Sequence, residues 1–413
     1  MKIRILLSAI VGNALEWYDY LLYAYFADIF AKLFFPTQDE YLSTMISFAA
    51  FAIGFIARPL GGLVFGYIGD RFGRKVSLTV SIILIAVPTT IMGLLPTYYQ
   101  IGIAAPLLLI LMRILQGISL GGEFSASSTF LVESAPKNLQ GFYGSFSTAS
   151  IGLGMILASI VATLIHQNYT PQEIENFAWR IPFVSSVFIG FLGIYLRSHL
   201  EESEAFKKAQ SQHKLIQKPL RTIFKNYRQN FFISCGIFMC ITIPIYSFAV
   251  YSKTLMHMLN YPFFEIEKYH IIILCSFMLA TPFFGYLSDK INPKNFLMIS
   301  ATLIAAFTPF FLVNLILGNN LLLWITFILA GILLATFQGP MPKMIVNNFP
   351  IQVRSSGVGM SYSFTAAIFG GTAPMILTFL IKNYGLFSVF YYILFGSTAS
   401  IIALFFYARM SKK

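Results

Sequence analysis

Ionisable side chains interrupt stretches that are otherwise almost wholly apolar: Glu16 and Asp19 in the first stretch, Arg58 in the second, and Arg113 and Glu123 in the fourth. Apolar stretches of about 20 residues are long enough to cross a bilayer. An ionisable group inside one is costly and usually faces the protein interior, so it is a functional candidate. Burial favours the neutral form of a carboxylate and a nearby guanidinium favours its ionised form. We therefore expect the three carboxylates to carry protons, countered by the two arginines; static ion pairs that only lock helices together are the alternative.

Helical spacing places other side chains beside these charges. At about 100° per residue, Tyr20 and Tyr23 share one stripe of the first helix with its two carboxylates, and Gln116 lies on the same side of the fourth helix as Arg113. Trp17 points away from that stripe and is expected to pack elsewhere or to face lipid. A guanidinium can bind a carboxylate, and aromatic faces suit an ammonium group. The predicted substrate-binding side chains are Tyr20, Tyr23, Arg58, Arg113, Gln116 and Gln338.

Other chemistries find no support in the sequence. Its five histidines and three cysteines show neither H-x-x-x-H nor C-x-x-C spacing, and no set of nucleophile and base stands out. There is no Gly-rich loop of the kind that binds ATP. We therefore expect no metal, no cofactor and no enzymatic activity.

The composition is typical of a membrane protein. Of the 413 residues, 57% are hydrophobic and 11% are charged, against about 45–50% and about 25% in an average soluble domain. The apolar residues suffice for at most about twelve spans, and the first stretch is too long for the core of a signal peptide, so we expect it to remain as a span. We predict an all-α membrane protein with a six-helix bundle at 1–197, a cytoplasmic linker at 198–230 and a second six-helix bundle at 231–413. The predicted spans are 7–31, 42–66, 76–95, 102–126, 142–165, 180–197, 231–257, 268–287, 295–317, 320–343, 357–381 and 386–408.

The positive charges indicate an orientation. A net charge of +12 would hint at nucleic acid binding in a soluble protein, but short loops rich in Lys and Arg also stay cytoplasmic. With both termini inside, 21 of the 28 Lys and Arg residues lie on the cytoplasmic side. We therefore expect a multi-pass protein in a lipid bilayer, with both termini cytoplasmic and no nucleic acid partner. On the outer side, Lys253 is expected to be interfacial and His257 and His270 to be solvated, with a role as pH sensors as the alternative.

Two loops of the first half of the chain have counterparts in the second half, after nearly the same number of residues. GYIGDRFGRK at 66–75 follows the second span and GYLSDKINPK at 285–294 follows the eighth, with their aspartates 289 − 70 = 219 residues apart. The prolines after the fourth and tenth spans, Pro136 and Pro350, are 350 − 136 = 214 residues apart. Two halves related as a parallel repeat are an architecture of secondary transporters, whose substrate site lies between the halves.

The charged positions of the first half are not repeated in the second. At the offset of 214, Phe327 stands in place of Arg113, and Gln338 lies one position from the equivalent of Glu123. We therefore expect the first half to handle the proton.

These motifs resemble the major facilitator superfamily. Within it, GNALEWYDY at 12–20, ARPLGG at 57–62 and GGEF at 121–124 resemble the bacterial metabolite:proton symporters, which include proline/betaine, α-ketoglutarate, citrate and shikimate carriers. The resemblance implies two six-helix bundles related by a pseudo-two-fold axis, located in the bacterial inner membrane.

The same resemblance gives the loop charges a role. In the superfamily, the D-R-x-G-R-K loop clamps the two halves together on the inner face when the carrier is open outward, and its glycine makes a tight turn. A positive-inside anchor is the alternative. Gln140 stands where an arginine is common in the family, so the first-half copy of that contact is expected to be weaker. The implied gating residues are Asp70, Arg71, Arg74, Glu133, Asp289 and Arg354.

We therefore expect a secondary active transporter that imports a small metabolite by proton symport with alternating access and works as a single chain. A site with both guanidinium and carboxylate groups favours a zwitterion such as proline or betaine. An organic-acid proton symporter of the α-ketoglutarate, citrate or shikimate type is the alternative, because two arginines serve organic acids equally well. The sequence ends at Lys413 soon after its last span, so we do not expect the long C-terminal coiled coil of osmosensing family members.

Overall fold

The computed structural model describes residues 3–212, 216 and 218–410, and nearly all of this range is helical. Within it, each predicted span coincides with a long helix, which confirms the all-α prediction. Among the cations counted for the orientation, Lys2, Lys214, Lys412 and Lys413 lie outside the described residues. The long helices are α1 Ile3–Tyr25, α2 Glu40–Arg71, α3 Arg74–Leu94, α4 Ala104–Ser134, α5 Gln140–Asn168, α6 Arg180–Ser198, α7 Arg228–Ile245, α8 Phe263–Lys290, α9 Pro293–Leu317, α10 Asn320–Gln338, α11 Arg354–Thr365 and α12 Ser388–Met410.

Shorter elements extend or connect these helices. Both α7 and α11 continue through a π-helical turn, Tyr246–Val250 and Ala366–Gly371 respectively, into a further α-helical segment. Such turns are rare and occur frequently at functional sites. The remaining elements are Ala27–Phe34, Tyr98–Ile101, Lys137–Leu139, Pro171–Glu173, Ile174–Ala178, Glu204–Ser211, Pro219–Asn226, Tyr251–Met258, Met341–Asn347, Ile351–Val353 and Ala373–Tyr384.

Length and hydropathy agree with a membrane-spanning bundle. Eleven helical segments in the described residues are long and apolar enough to cross a membrane. With 23 residues, α1 has the length of a span, but Asn13, Glu16 and Asp19 lower its mean hydropathy. The polar stripe predicted for the first span therefore lies within a helix of membrane-spanning length.

Helix ends follow the local sequence. Asn292 caps α9 by accepting a hydrogen bond from the backbone of Lys294, and Pro293 occupies the first helical position, where its missing N–H costs nothing. The same helix ends at Gly318, which adopts a left-handed conformation. These signals mark where α9 begins and ends, and short turns join it to α8 and α10.

The N-terminal half, α1–α6, meets the C-terminal half, α7–α12, along two matching pairs of helices. One pair is α2 with α11 and the other is α5 with α8. Each half has six long helices, so α2 of the first half corresponds to α8 of the second, and α5 corresponds to α11. Exchanging the two halves therefore converts one contact into the other. The end of the bundle that contains the turns after α2 and α8 and the connection between α6 and α7 is called the linker face below. The domain limits at 197 and 231 stay a prediction, and residues 213–215 and 217 of the linker lie outside the described residues.

Candidate functional site

Asp70, at the end of α2, caps the beginning of α11 in the opposite half. Its two carboxylate oxygens accept hydrogen bonds from the backbone N–H groups of Ser355 and Ser356, each at 2.9 Å. The first N–H groups of a helix lack partners within the helix and carry a partial positive charge, which favours an anion. Arg74 lies 3.5 Å from the same carboxylate, and both side chains are fully buried. This contact joins α2 to α11.

Asp289, at the end of α8, makes the equivalent contact in the other direction. It accepts hydrogen bonds from the backbone N–H groups of Gly141 and Phe142, at 2.8 and 2.9 Å, at the beginning of α5. Lys343 forms an ion pair with it at 2.7 Å. The capped segments are 355 − 141 = 214 residues apart, which is the offset found in the sequence. The repeat thus corresponds to reciprocal caps, with each half capping a helix of the other.

Glu133 connects two predicted gating arginines. It lies 3.1 Å from Arg74 and 3.0 Å from Arg354, which belongs to the opposite half. At the position equivalent to Arg354, Gln140 accepts a hydrogen bond from Asn347 at 3.1 Å. A hydrogen bond between neutral groups is weaker than a charge-assisted one. The contact at Gln140 is therefore weaker than the one at Arg354, in agreement with the expectation from the sequence.

The structure does not bring Arg71 into these contacts. Its side chain is exposed, and its guanidinium lies over the rings of Tyr67 and Phe72 at 5.5 and 5.4 Å. Gly73 makes the adjacent turn with a φ of 111°, which other residues rarely adopt. The tight turn expected from the motif is therefore present, and Arg71 lies on its outer side.

The linker contributes residues to this cluster that the sequence analysis missed. The hydroxyl of Ser203 donates a hydrogen bond to Glu133 at 2.8 Å, and the ring of Phe206 lies 4.9 Å from the guanidinium carbon of Arg74. Ser203 also caps the helix Glu204–Ser211. A serine before a glutamate is a sequence signal for a helix start, but it does not indicate what that helix contacts.

Two of the predicted proton-carrying residues lie together in the N-terminal half. Glu16 accepts a hydrogen bond from the hydroxyl of Ser119, and Glu123 accepts one from Ser81. Both carboxylates are fully buried and interact with each other. The guanidinium of Arg197 forms an ion pair with Glu123. The cluster therefore contains two carboxylates and one guanidinium.

The positive partner of these carboxylates is not the one expected. Arg58 and Arg113 were expected opposite them, whereas the structure has Arg197, from the last turn of α6. This side chain is fully buried and also donates to the backbone oxygen of Leu78. A Cβ at Gly12 would lie 2.3 Å from its guanidinium, so the glycine of the first motif leaves room for it. The glycine was visible in the sequence and indicates that a large side chain could pack against it. It does not indicate that this side chain is Arg197.

Asp19 lies apart from this cluster. It accepts a hydrogen bond from the hydroxyl of Ser186 at 2.6 Å, and its second oxygen has no hydrogen-bond partner among the described residues. No hydrogen bond or ion pair within that part of the chain joins it to Glu16 or Glu123. The structure thus separates the three predicted carboxylates into a pair and a single residue.

Arg113 lies with three of the residues predicted beside it. Its guanidinium donates to the side chain of Gln116 at 2.6 Å and to the backbone oxygens of Tyr20 and Phe51 at 3.2 and 3.4 Å. It also lies 4.3 and 4.6 Å from the ring centres of Tyr20 and Tyr23. These contacts satisfy most of its donors within the N-terminal half.

Arg58 lies in a cage of aromatic rings between the two halves. Its guanidinium carbon is 5.6 Å from the ring centre of Trp17, 5.5 Å from that of Phe55 and 5.0 Å from that of Tyr362. The side chain is fully buried, and within the described residues it forms no ion pair and its guanidinium nitrogens donate no well-formed hydrogen bond. A buried charge without a partner is costly. A guanidinium in this position can form an ion pair with an anion that enters between the halves.

Part of this aromatic cage was not predicted. Trp17 was expected to pack elsewhere, but it faces Arg58. Tyr246 and Tyr362 come from the C-terminal half, and Tyr246 opens the π-helical turn of α7, with its ring 5.8 Å from that of Phe55. Aromatic residues are frequent throughout the sequence, so no sequence signal distinguished these two.

Gln338 is buried at another contact between the halves. Its backbone oxygen accepts a hydrogen bond from Thr148 of α5 at 3.1 Å, and its side-chain nitrogen has no partner among the described residues. No described contact joins it to the aromatic cage around Arg58. It stays a predicted binding residue with an unsatisfied donor.

The two halves also touch at the end opposite the linker face. The hydroxyl of Tyr25 lies 3.5 Å from His270, and Lys253 lies 5.1 Å from the Tyr25 ring and forms an ion pair with Glu267. His270 is only 4% exposed, so the expectation that it is solvated was wrong: the side chain points into the contact between the halves. Arg58 is therefore enclosed by contacts at both ends of the bundle.

Comparisons with known proteins agree with this architecture. The family model described as sugar (and other) transporter matches residues 5–222, and that of the major facilitator superfamily matches residues 269–413. The inner membrane metabolite transport protein YhjE of Escherichia coli (strain K12) is 33% identical over 408 residues, covering 97% of this chain and 93% of the relative. A putative proline/betaine transporter of Staphylococcus aureus (strain COL) is 34% identical over 380 residues, covering 91% and 81%. The glycine betaine/proline/ectoine/pipecolic acid transporter OusA of Dickeya dadantii (strain 3937) is 31% identical over 395 residues, covering 91% and 77%.

Solved structures share the fold. The proton:xylose symporter XylE bound to 6-bromo-6-deoxy-D-glucose superposes with a TM-score of 0.80 at 18% identity, covering 98% of this chain and 95% of that one. The inward open conformation of XylE from Escherichia coli gives a TM-score of 0.65 with the same identity and coverage. The predicted fold of two six-helix bundles related by a pseudo-two-fold axis is thereby confirmed.

Proposed function

Because the chain belongs to the major facilitator superfamily of transporters, we propose that it imports a small zwitterion, such as proline or betaine, by proton symport with alternating access. The observation that carries this proposal is Arg58, a fully buried guanidinium without an ion-pair partner among the described residues, held between the halves. A substrate carboxylate would supply the missing partner. The relatives named as proline/betaine transporters support this substrate class.

The different surroundings of the two membrane arginines favour a single carboxylate in the substrate. Arg113 is already bonded to Gln116 and to two backbone oxygens, whereas Arg58 is approached by the hydroxyls of Tyr246 and Tyr362 but donates no well-formed hydrogen bond within the described residues. A dicarboxylate would bring two negative charges to one available guanidinium. A zwitterion brings one, and its ammonium group can face the rings of the cage. An organic-acid symporter is the alternative, in which Arg113 would exchange its present partners for the second carboxylate.

The proton is assigned to the cluster of Glu16, Glu123 and Arg197. With both carboxylates ionised, this cluster carries one net negative charge away from water, which is costly. One proton neutralises it. Because α1 carries both Glu16 and the cage residue Trp17, a change at one site is transmitted to the other along a single helix. Asp19, which lies on the same helix, is a second candidate carrier.

The reciprocal caps are assigned to the gate at the linker face. In the described conformation they hold α2 to α11 and α8 to α5, so release of substrate at this face requires that these contacts break. On the orientation predicted from the Lys and Arg residues, the linker face is cytoplasmic. We place the protein in the bacterial inner membrane as a single chain with both termini inside, and the name of the inner membrane relative supports this location.

Transport by the purified protein in proteoliposomes tests the proposal. Uptake of labelled proline, betaine, α-ketoglutarate and citrate is measured with and without an inward proton gradient, together with counterflow of each compound. We expect gradient-driven uptake and counterflow of proline or betaine. Uptake of the organic acids alone would favour the alternative, and transport without any response to the proton gradient would reject symport.

A further inference from the structure

A cavity opens between α7 and α12 at the linker face, away from the aromatic cage and the gate. Its volume is about 550 Å³, and its lining includes Arg228, Gln229, Phe232, Phe406 and Arg409. The two helices are in close contact farther into the bundle, where a Cβ on Gly236 would lie 2.6 Å from that of Ala403. The cavity thus lies at the end of the groove between them.

The cavity is positively charged and lacks a negative partner. Arg228 and Arg409 are exposed, neither forms an ion pair within the described residues, and no acidic residue lines the cavity. Arg409 lies over the ring of Phe405 at 4.6 Å, and Lys294 of α9 approaches the same ring at 6.0 Å. Three cations from three helices therefore surround this end of α12.

The beginning of α7 adds to the positive potential. Arg228 is its first residue, and the preceding Tyr227 provides no side-chain hydrogen bond to the free N–H groups of the first turn. Unpaired N–H groups at the start of a helix favour an anion. The C-terminal end of α12 has the opposite polarity, and Arg409 in its last turn offsets it.

Apolar side chains border the charged part of the cavity. Phe232 is 66% exposed and Phe406 is 51% exposed, and both lie on helices that cross the membrane. In a bilayer, these rings would face lipid chains, while the arginines at the helix ends lie at the level of the headgroups. A ligand that fits this pattern has an anionic group joined to apolar chains.

We propose that the cavity between α7 and α12 binds the phosphodiester group of an anionic phospholipid, with Arg228 and Arg409 as its ligands and Phe232 and Phe406 beside its acyl chains. Basic pockets between membrane helices on the cytoplasmic side are suited to anionic headgroups. Inorganic phosphate shares the charge but gains nothing from the rings. The proposal is independent of the substrate assigned to the aromatic cage.

Native mass spectrometry of the purified protein tests this site. The full-length protein in detergent is titrated with phosphatidylglycerol, phosphatidylcholine or inorganic phosphate, alongside the double variant Arg228→Gln/Arg409→Gln. The matched control is Lys137→Gln/Lys290→Gln, which removes two exposed cations from the same face. We expect the first lipid adduct of the wild type to form with phosphatidylglycerol only. Its dissociation constant should rise about thirtyfold in the arginine variant, and the control should match the wild type.

Several outcomes would overturn the proposal. If the arginine variant and the lysine control lost phosphatidylglycerol binding equally, the effect would come from the overall positive charge of that face and not from this cavity. Equal binding of phosphatidylcholine would show that the rings alone retain lipid, and binding of inorganic phosphate with the same dependence on the arginines would make the site a phosphate site. The charge-conserving variant Arg228→Lys/Arg409→Lys checks folding, because it should retain most of the phosphatidylglycerol binding.

Discussion

Two arginines in the membrane-spanning part of the chain have the same type and burial but different partners. Arg113 donates hydrogen bonds to Gln116 and to two backbone oxygens, although its Nε has no partner among the described residues. Arg58 is surrounded by aromatic side chains, and the hydroxyls of Tyr246 and Tyr362 approach its guanidinium, but its nitrogens donate no well-formed hydrogen bond within the described residues. Burial alone made both of them candidates, and the difference in hydrogen bonding is the reason that Arg58 is the proposed ligand of the substrate carboxylate.

Replacing Arg58 with Gln removes the proposed anchor for the substrate carboxylate. Hydrogen bonds to a charged group contribute about 1.5–3 kcal/mol, so we expect the KM for uptake to rise about tenfold to a hundredfold. Initial rates of uptake into proteoliposomes measure this. Arg71→Gln, at an exposed arginine outside the gate contacts, is the control and should retain the wild-type KM. An unchanged KM in a folded Arg58→Gln protein would contradict the assignment.

Neutral variants of the proposed proton carriers should separate proton-driven uptake from the exchange of substrate across the membrane. In Glu16→Gln and Glu123→Gln, the cluster with Arg197 can no longer lose and regain a proton in the same way. We expect uptake driven by a proton gradient to disappear while counterflow at equal pH persists. Asp19→Asn is measured beside them because Asp19 is separate in the structure. Full gradient dependence in all three variants would remove the coupling assignment.

Arg197 should also matter for stability, because it neutralises a buried carboxylate. Removing one partner of a buried ion pair costs about 3–5 kcal/mol. We expect Arg197→Gln to lower the thermal unfolding midpoint in detergent and the double variant Arg197→Gln/Glu123→Gln to recover most of the loss. If the double variant were no more stable than the single one, the ion pair would not explain the effect.

Among the helices, the reciprocal caps link the two halves. Each uses a carboxylate at the end of one helix to bind the backbone of another, and the two caps have the same geometry although their neighbouring charges differ. Glu133 adds an ionic bridge beside the Asp70 cap, whereas Lys343 adds one beside Asp289. The C-terminal residues of α2 and α8 therefore hold the beginnings of α11 and α5.

Removing either cap should loosen the capped helix in the opposite half. Loss of a helix cap costs about 0.5–2 kcal/mol, so amide exchange at the beginning of α11 should accelerate about twofold to thirtyfold in Asp70→Asn. Asp289→Asn should do the same at the beginning of α5. Hydrogen–deuterium exchange measured by mass spectrometry resolves the two segments, with Arg71→Gln as the unchanged control. Acceleration confined to the mutated helix would contradict the reciprocal arrangement.

In the molecule as a whole, contacts between the halves enclose the aromatic cage from both ends. The linker-face contacts are ionic, and those at the opposite end join Tyr25 to His270 and Lys253. The proposed alternating access requires that one set opens while the other stays closed. The orientation of the chain decides which set faces the cytoplasm.

Labelling of introduced cysteines should establish this orientation. In a background in which Cys235, Cys240 and Cys275 are replaced by serine, Tyr99→Cys lies at the end opposite the linker face and Lys207→Cys lies in the linker. We expect a membrane-impermeant thiol reagent to label position 99 in intact cells and position 207 only after permeabilisation. Both native side chains are exposed. A difference in labelling therefore reports which side of the membrane each position faces. The reverse pattern would invert the orientation.

The sequence by itself determined which segments become helices, the repeat between the halves and most of the charged residues at the linker face. Apolar length and the spacing of similar loops are local properties, and residues such as Asp70 and Asp289 occur in a recognisable order. Only the tertiary structure decided the partners. Periodicity shows which face of one helix is polar, but the packing of distant helices determines which faces meet. For that reason, the sequence did not reveal that Arg197 neutralises Glu123, that Tyr246 and Tyr362 approach Arg58, or that Asp70 binds backbone N–H groups, which every residue except proline carries.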